Sequence, residues 1–178
     1  MDYVTDTGQR TDEITRLFEA TFTASEGAEE GRLFGTLARE LFATTPPDDL
    51  MTFCAETAGA RAGCILFTRL RYDDPRAVWL LAPVAVAPAF QRRGTGQALI
   101  RHGLARLRAA GGEIAVTYGD PAYYSRVGFQ PVGTDTVPVP LPLTQPHGWQ
   151  AQSLTGAPLT PLAGPARCVP AFDIPALW

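Results

Sequence analysis

Apolar positions recur at helical spacing in the first quarter of the chain and in strand-like runs beyond it. Ile14, Leu17, Phe18, Thr21 and Phe22 share one helical face, with Asp12 placed to cap that helix. A second helix over about Glu29 to Phe42 puts Leu33, Phe34, Leu37, Leu41 and Phe42 on one side. Acids gather at its start and Arg39 near its end, as the helix dipole prefers. Pro46-Pro47-Asp48-Asp49 closes this helical part. Three strand-like runs follow: Leu50 to Thr57, Ala62 to Tyr72 and Ala77 to Val86. Ala58-Gly59-Ala60 and Asp73-Asp74-Pro75 separate them as turns, so the runs read as an antiparallel meander. A short strand at Tyr3-Val4-Thr5 precedes the first helix.

The periodicity then returns to helical from about Gly94 to Ala110. Ile100, Gly103, Leu104 and Leu107 fall on the inner face, and Arg101, Arg106 and Arg108 on the outer. Gly111-Gly112 stops the helix before a strand at Glu113 to Tyr118. A strand, helix, strand crossover makes the flanking strands parallel, so the sheet is mixed. Asp120-Pro121 is a cap followed by proline at the first helical position. It opens a short helix ended by Gly128, before a strand at Phe129 to Val132. From Pro131 on the texture changes, and ten of the 16 prolines lie there. That tail reads as extended and wrapped over the domain, with one strand at Trp149 to Leu154 and apolar anchors at Phe172, Leu177 and Trp178.

Composition narrows the chemistry. The chain has 178 residues, 46% of them hydrophobic, and a net charge of −3, which suits one globular domain and gives no field for nucleic acid. The arginines Arg101, Arg106 and Arg108 lack interleaved aromatics, which argues further against that partner. The longest apolar run, Ala77 to Ala89, is interrupted by Pro83 and Pro88 and is too short to span a membrane. Met1-Asp2-Tyr3 does not read as a secretory signal, and the cytoplasm is the expected compartment. Cys54, Cys64 and Cys168 lack CxxC spacing, and His102 and His147 lie far apart, so no metal site is expected. Cys54 and Cys64 sit in apolar runs and read as buried structural thiols. All 15 basic residues are arginine. A GC-rich coding bias accounts for this, but it also excludes any mechanism that needs a lysine.

The most informative stretch is Val84-Ala85-Val86-Ala87-Pro88-Ala89-Phe90-Gln91-Arg92-Arg93-Gly94-Thr95-Gly96-Gln97. A buried strand runs into a loop with two arginines and two glycines, then directly into a helix with no usual cap. The first helical amides need another acceptor, and the dipole favours an anion there. Three phosphate-binding loops compete. A Walker A loop needs a lysine. A dinucleotide fingerprint needs its glycines tight against the strand, and Glu113 matches its distant acid only by coincidence. The third pattern, Q/R-x-x-G-x-G/A, is met by Gln91-Arg92-Arg93-Gly94-Thr95-Gly96.

With that loop in its strand and helix context, the sequence resembles the GCN5-related N-acetyltransferase (GNAT) superfamily from about Leu50 to Val132. Tyr124-Ser125-Arg126-Val127-Gly128-Phe129 matches a second element, Y-x-x-x-G-F. The preceding Gly119-Asp120-Pro121-Ala122-Tyr123 looks like the bacterial YhbS-like branch. The resemblance implies an α/β (α+β) fold: a mixed, mostly antiparallel central sheet with helices on both faces and a splayed acyl-CoA-binding strand. It implies one acyl-CoA N-acyltransferase domain over 1–178, with a core of about 1–132 and a Pro-rich extension over about 133–178. Val84, Ala85 and Val86 would pair with the pantetheine arm of acetyl-CoA, and Pro83 fits an interruption in that strand. Gln91, Arg92, Arg93, Gly94, Thr95, Gly96 and Gln97 would hold the pyrophosphate.

The implied reaction is acetyl transfer from acetyl-CoA, as co-substrate, to an amine acceptor on a small molecule or protein. The amine attacks directly, so positioning matters more than a covalent nucleophile. The backbone N–H of Val86 is the candidate oxyanion donor, and Tyr124 the candidate general acid for the departing thiolate. Tyr124 also reads as an aromatic packed beside Tyr123 and Phe129. No general base stands out among Glu56, Asp120 and His147. The strand before the loop lacks the carboxylate many family members carry there. A non-catalytic acyl-CoA-binding or regulatory module is therefore the second reading. The acceptor, the oligomeric state and the role of the tail are not legible.

Overall fold

The meander and crossover combine in one sheet of seven strands, ordered β1-β2-β3-β4-β5-β7-β6. The computed structural model describes residues 1–6 and 8–178. The strands are β1 (Asp2–Asp6), β2 (Leu50–Thr57), β3 (Ala60–Leu70), β4 (Val78–Val86), β5 (Ile114–Tyr118), β6 (Gln130–Pro131) and β7 (Trp149–Ser153). The helices are α1 (Thr11–Glu26), α2 (Ala28–Thr44), α3 (Thr95–Ala109) and α4 (Pro121–Tyr124). β4 and β5 pair parallel across the α3 crossover, while β1 with β2, β5 with β7 and β6 with β7 pair antiparallel. This is the mixed, mostly antiparallel α/β fold expected. The chain divides into two compact units: Met1–Phe67 with Pro83–Gly103, and Thr68–Ala82 with Leu104–Trp178.

In the first unit α1 and α2 pack through small residues as much as through the expected apolar stripe. Gly31, Gly35 and Ala38 are buried, whereas Leu33 and Phe34 are only half-buried. A β-carbon on Gly31 would meet the Glu19 carbonyl at 2.8 Å, so the glycine sets how closely the helices approach. Phe22 stacks on Phe34 with ring centroids 3.7 Å apart. Two expected details change. Arg10, not Asp12, occupies the cap position of α1, and Asp12 lies in the first turn, where it still complements the dipole. α2 runs on to Thr44, which leaves Arg39 outside the last turn. The β2–β3 turn uses Ala58 and Gly59 alone, with φ 47° and 77°, as a two-residue hairpin demands. On α3, Gly103 lies against Ile65, Phe67 and Phe53, where a β-carbon would stand 2.7 Å from Ile65 Cδ1.

In the second unit the tail supplies a central strand. β7 pairs along the whole of β5, from Ile114↔Ser153 to Tyr118↔Trp149. β6, reduced to two residues, pairs on the far side of β7. The rest of the tail is anchored by buried Val137, Leu162, Phe172 and Trp178. The indole N–H groups of Trp149 and Trp178 donate to the carbonyls of Val137 and Phe172, each at 2.9 Å. Arg76 pairs with Asp74 at 2.7 Å and donates to the Thr160 and Pro161 carbonyls, clamping the tail to the turn before β4. α3 ends as expected: the Gly112 amide reaches back to the Leu107 carbonyl at 2.9 Å, with Gly111 at φ 89°.

Candidate active site

β4 is not a regular strand. The Ala77 carbonyl accepts from Ile114 N at 3.1 Å, so it points toward β5. At the other end Ala87 N donates to the Ala62 carbonyl on β3 at 2.9 Å. The peptide unit is planar and trans, so the Val86 carbonyl points away from β3. Residues nine positions apart in a regular pleat face opposite edges, yet Ala77 and Val86 both turn away from β3. One extra residue is therefore inserted between them, a β-bulge, in the segment that contains Pro83. Among the described residues the β5 ladder covers only Val78–Leu81, and β4 continues past it to Val86. In a strand the N–H and C=O of one residue share an edge, so the Val86 N–H also turns away from β3. Ala85 is buried, and Val84 and Val86 are half-buried.

The loop after β4 is shaped by two left-handed residues, Arg92 at φ 57° and Gly94 at φ 79°. For arginine that conformation costs about 1–2 kcal/mol. Gln91, Arg92, Arg93 and Gly94 are exposed, Thr95 and Gly96 are buried, and Gln97 is half-buried. The Gln91 side-chain amide donates to the Val86 carbonyl at 2.9 Å, so this residue braces the loop on the strand. The first turn of the helical ladder is closed by Ala98 N on the Gly94 carbonyl at 3.0 Å. The amides of Thr95, Gly96 and Gln97 precede it and have no helical carbonyl to reach. α1 and α2 carry acids in their first turns, Asp12 and Glu13, then Glu29 and Glu30; α3 carries none. An N-terminus with free amides, no acid and two flanking arginines suits an anion.

Tyr124 belongs to the second unit. Asp120 caps its helix by accepting from Ala122 N at 2.9 Å, a contact worth about 1 kcal/mol. Asp120 is thus a cap, as the Asp-Pro pair suggested. The Tyr124 ring packs edge-on against Tyr123 and Phe129, with centroids 5.1 and 5.8 Å away. Burial pushes its phenol up to about 12, opposed by the Thr117 hydroxyl beside it. The group therefore stays protonated at neutral pH. The Thr117 hydroxyl donates to the Leu81 carbonyl at 3.0 Å, at the last paired residue of β4.

Three residues of this unit have contacts that the sequence did not assign, Gly119 having been quoted only as part of the Gly119-Asp120-Pro121-Ala122-Tyr123 stretch. Thr117 is one. Gly119 is the second, lying so close to the ring that a β-carbon would clash with it. The third is Gln150, fully buried on β7, whose side-chain amide donates to the Gly119 and Gly148 carbonyls, each at 3.2 Å. The strand Trp149 to Leu154 also carries Gln152 and Ser153, so a glutamine there gave no signal in the sequence. Of the candidate bases, Glu56 pairs with Arg10 at 3.0 Å and Arg61 at 3.5 Å, and His147 is exposed in a short turn. Glu113 accepts from Ala77 N at 2.8 Å and holds the start of β4, which explains that acid without a ribose. Among the described residues no group of His, Cys, Asp and Glu could hold a metal ion, and no helix is long and apolar enough to cross a membrane.

Comparison with known proteins places this arrangement. The acetyltransferase (GNAT) domain profile matches residues 48–131. YjhQ, an uncharacterised N-acetyltransferase of Escherichia coli K12, is 38% identical over 133 residues, covering 71% of this chain and 73% of YjhQ. The chain belongs to the GNAT family. Within that family YhbS of Escherichia coli K12 is 30% identical over 106 residues, covering 59% of this chain and 60% of YhbS. A GNAT acetyltransferase from Brucella melitensis, solved in complex with acetyl-CoA, superposes with a TM-score of 0.74 at 29% identity, covering 97% of both chains. Escherichia coli YhbS in complex with CoA shares the fold, with a TM-score of 0.75 at 21% identity over 97% of this chain and 92% of that one.

Proposed function

We propose that this GNAT protein transfers an acetyl group from acetyl-CoA to an amine acceptor. The observation that carries the reading is the outward-facing Val86 edge of β4, followed directly by an acid-free helix start flanked by Arg92 and Arg93. The residues fit an acyl-CoA: a strand edge that continues past the β5 ladder suits the amides of a pantetheine arm, and the amides at the start of α3 suit a pyrophosphate. The acetyl-CoA and CoA complexes of the Brucella melitensis protein and of YhbS support the same assignment.

Acetyl-CoA supplies an activated thioester carbonyl. Val84, Ala85 and Val86 orient the arm, and the Val86 N–H donates to the oxygen on which charge develops. Gln91, Arg92, Arg93, Gly94, Thr95, Gly96 and Gln97 hold the diphosphate. Tyr124, kept protonated by burial, gives its phenolic proton to the departing thiolate. The amine arrives neutral, and the proton it sheds after attack passes through water to restore the Tyr124 phenol.

The test is CoA release, followed by thiol detection, on a panel of small amines and peptides supplied with acetyl-CoA. Acceptor-dependent release is the expected result. Saturable acetyl-CoA binding with no release on any amine would replace this reading with the non-catalytic acyl-CoA-binding module.

A further inference from the structure

Cys54 on β2 and Cys64 on β3 bring their Sγ atoms to 3.3 Å, sharing a hydrogen bond in a fully buried site. Both are free thiols. Beside them lies Arg61, whose side chain is only 7% exposed, within 3.3–4.0 Å of the carboxylates of Asp6, Glu13 and Glu56. Its Nε and Nη1 atoms are buried without a hydrogen-bond partner. The acetyl-transfer reading uses none of these groups.

We propose that Cys54 and Cys64 form a peroxide-reactive dithiol that closes to a cross-strand disulfide, and that closure weakens acyl-CoA binding. The second half rests on the acyl-CoA reading given above. Cys54 is the attacking sulfur. The hydrogen bond it shares with Cys64 holds its thiol below the ordinary range, opposed by burial and assisted by Arg61, whereas burial pushes Cys64 up. The Cys54 sulfur attacks one peroxide oxygen; the S–O bond forms, the O–O bond breaks, and the second oxygen leaves as water with the thiol's proton. The Cys64 sulfur then attacks the Cys54 sulfenic sulfur; the S–S bond forms, the S–O bond breaks, and the departing hydroxide takes the Cys64 proton. Two thiols lose two electrons and one peroxide becomes two waters.

Access is through the sheet edge. Val4 of β1 lies opposite Cys54, and β1 is a five-residue strand at the end of the sheet order among the described residues. Local opening of such a strand costs less than global unfolding. The link to acyl-CoA is one of adjacency along β3. Cys64 follows Gly63, which approaches the Ala85 carbonyl so closely that a β-carbon would stand 2.9 Å from it. Ala62 in turn holds Ala87 N. Drawing the sulfurs from 3.3 Å to a bond of about 2 Å shifts these residues against the strand edge that receives the ligand.

The experiment uses the full chain carrying Cys168→Ser, so that the dithiol is the one thiol pair present. After treatment with hydrogen peroxide, the intact mass should fall by two hydrogens, a peptide linking Cys54 to Cys64 should appear, and a thiol reductant should reverse both. Two alkylatable thiols in the treated, unfolded protein would overturn the proposal, as would oxygen addition without cross-linking. Cys64→Ala should leave Cys54 as a sulfenic acid trapped by dimedone; if that variant does not fold, the parent protein's mass still decides. Acetyl-CoA titration calorimetry should then show at least tenfold weaker binding by the oxidised form, restored on reduction. Equal affinities would overturn the coupling. Failure of both forms to bind would instead overturn the acyl-CoA reading, with the dithiol chemistry judged by mass alone.

Discussion

Gly119 yields its side-chain space to Tyr124: a β-carbon on Gly119 would stand 2.8 Å from Cε2 of the phenol ring. The ring has little room to withdraw, because Tyr123 and Phe129 pack edge-on around it. Gly119→Ala should therefore displace the phenol. Overpacking of this kind costs about 1–3 kcal/mol. The expected outcome is a kcat lowered about tenfold with acetyl-CoA affinity retained, measured by steady-state kinetics and calorimetry. An unchanged kcat would show that the ring's position does not matter to turnover.

Tyr124→Phe removes the proton donor and keeps the packing. Turnover should fall by about 10²-fold or more, the usual range for a general acid, while acetyl-CoA still binds. The pH dependence carries a sign. With its phenol pushed up to about 12, the group is protonated throughout the neutral and mildly alkaline range. The rate should therefore climb as the acceptor amine deprotonates, with no decline from loss of the phenolic proton near pH 10. A wild-type alkaline decline at the ordinary tyrosine value, abolished in Tyr124→Phe, would contradict a desolvated phenol.

Gly96→Glu places bulk and negative charge among the free amides at the start of α3. CoA affinity should drop at least tenfold in titration calorimetry, with the circular dichroism spectrum preserved. Since the first turn of α3 lacks any acid, the added carboxylate reverses the feature that suits it to an anion. Undiminished affinity would remove the loop as the pyrophosphate site.

The Asp74–Arg76 clamp predicts a pH-dependent contribution to stability. Hydrogen bonds from Arg76 hold the Asp74 carboxyl well below its ordinary 3.8. A carboxyl lowered in the folded state stabilises fully above 3.8 and loses that contribution as the pH falls toward the folded value. Asp74→Asn should lower the thermal midpoint by a few degrees at pH 7 and loosen the tail around Thr160 and Pro161, seen as faster amide exchange. The difference from wild type should shrink as the pH drops below 3.8. A constant difference down to pH 2 would mean that the charge is not what the clamp uses.

Local signals told most about the phosphate-loop candidate. Gln91-Arg92-Arg93-Gly94-Thr95-Gly96 was legible because glycines and an uncapped helix start describe backbone geometry within a few residues. The Asp120-Pro121 cap and the Gly111-Gly112 stop were legible for the same reason. The helix faces were read less well: α2 buries Gly31 and Gly35, where hydrophobicity alone points to Leu33 and Phe34. Close helix approach rewards the absence of a side chain, which an apolar pattern does not register.

By itself, then, the sequence determined the order of elements, the loop between β4 and α3, and the family to which the chain belongs. Only the tertiary structure decided that β7 lies between β5 and β6 and that Cys54 meets Cys64. It alone set Gly119 under Tyr124. The difference is physical. Caps, turns and amphipathic faces are settled by neighbours along the chain, whereas strand order and register depend on which distant backbone groups satisfy one another once the core has packed.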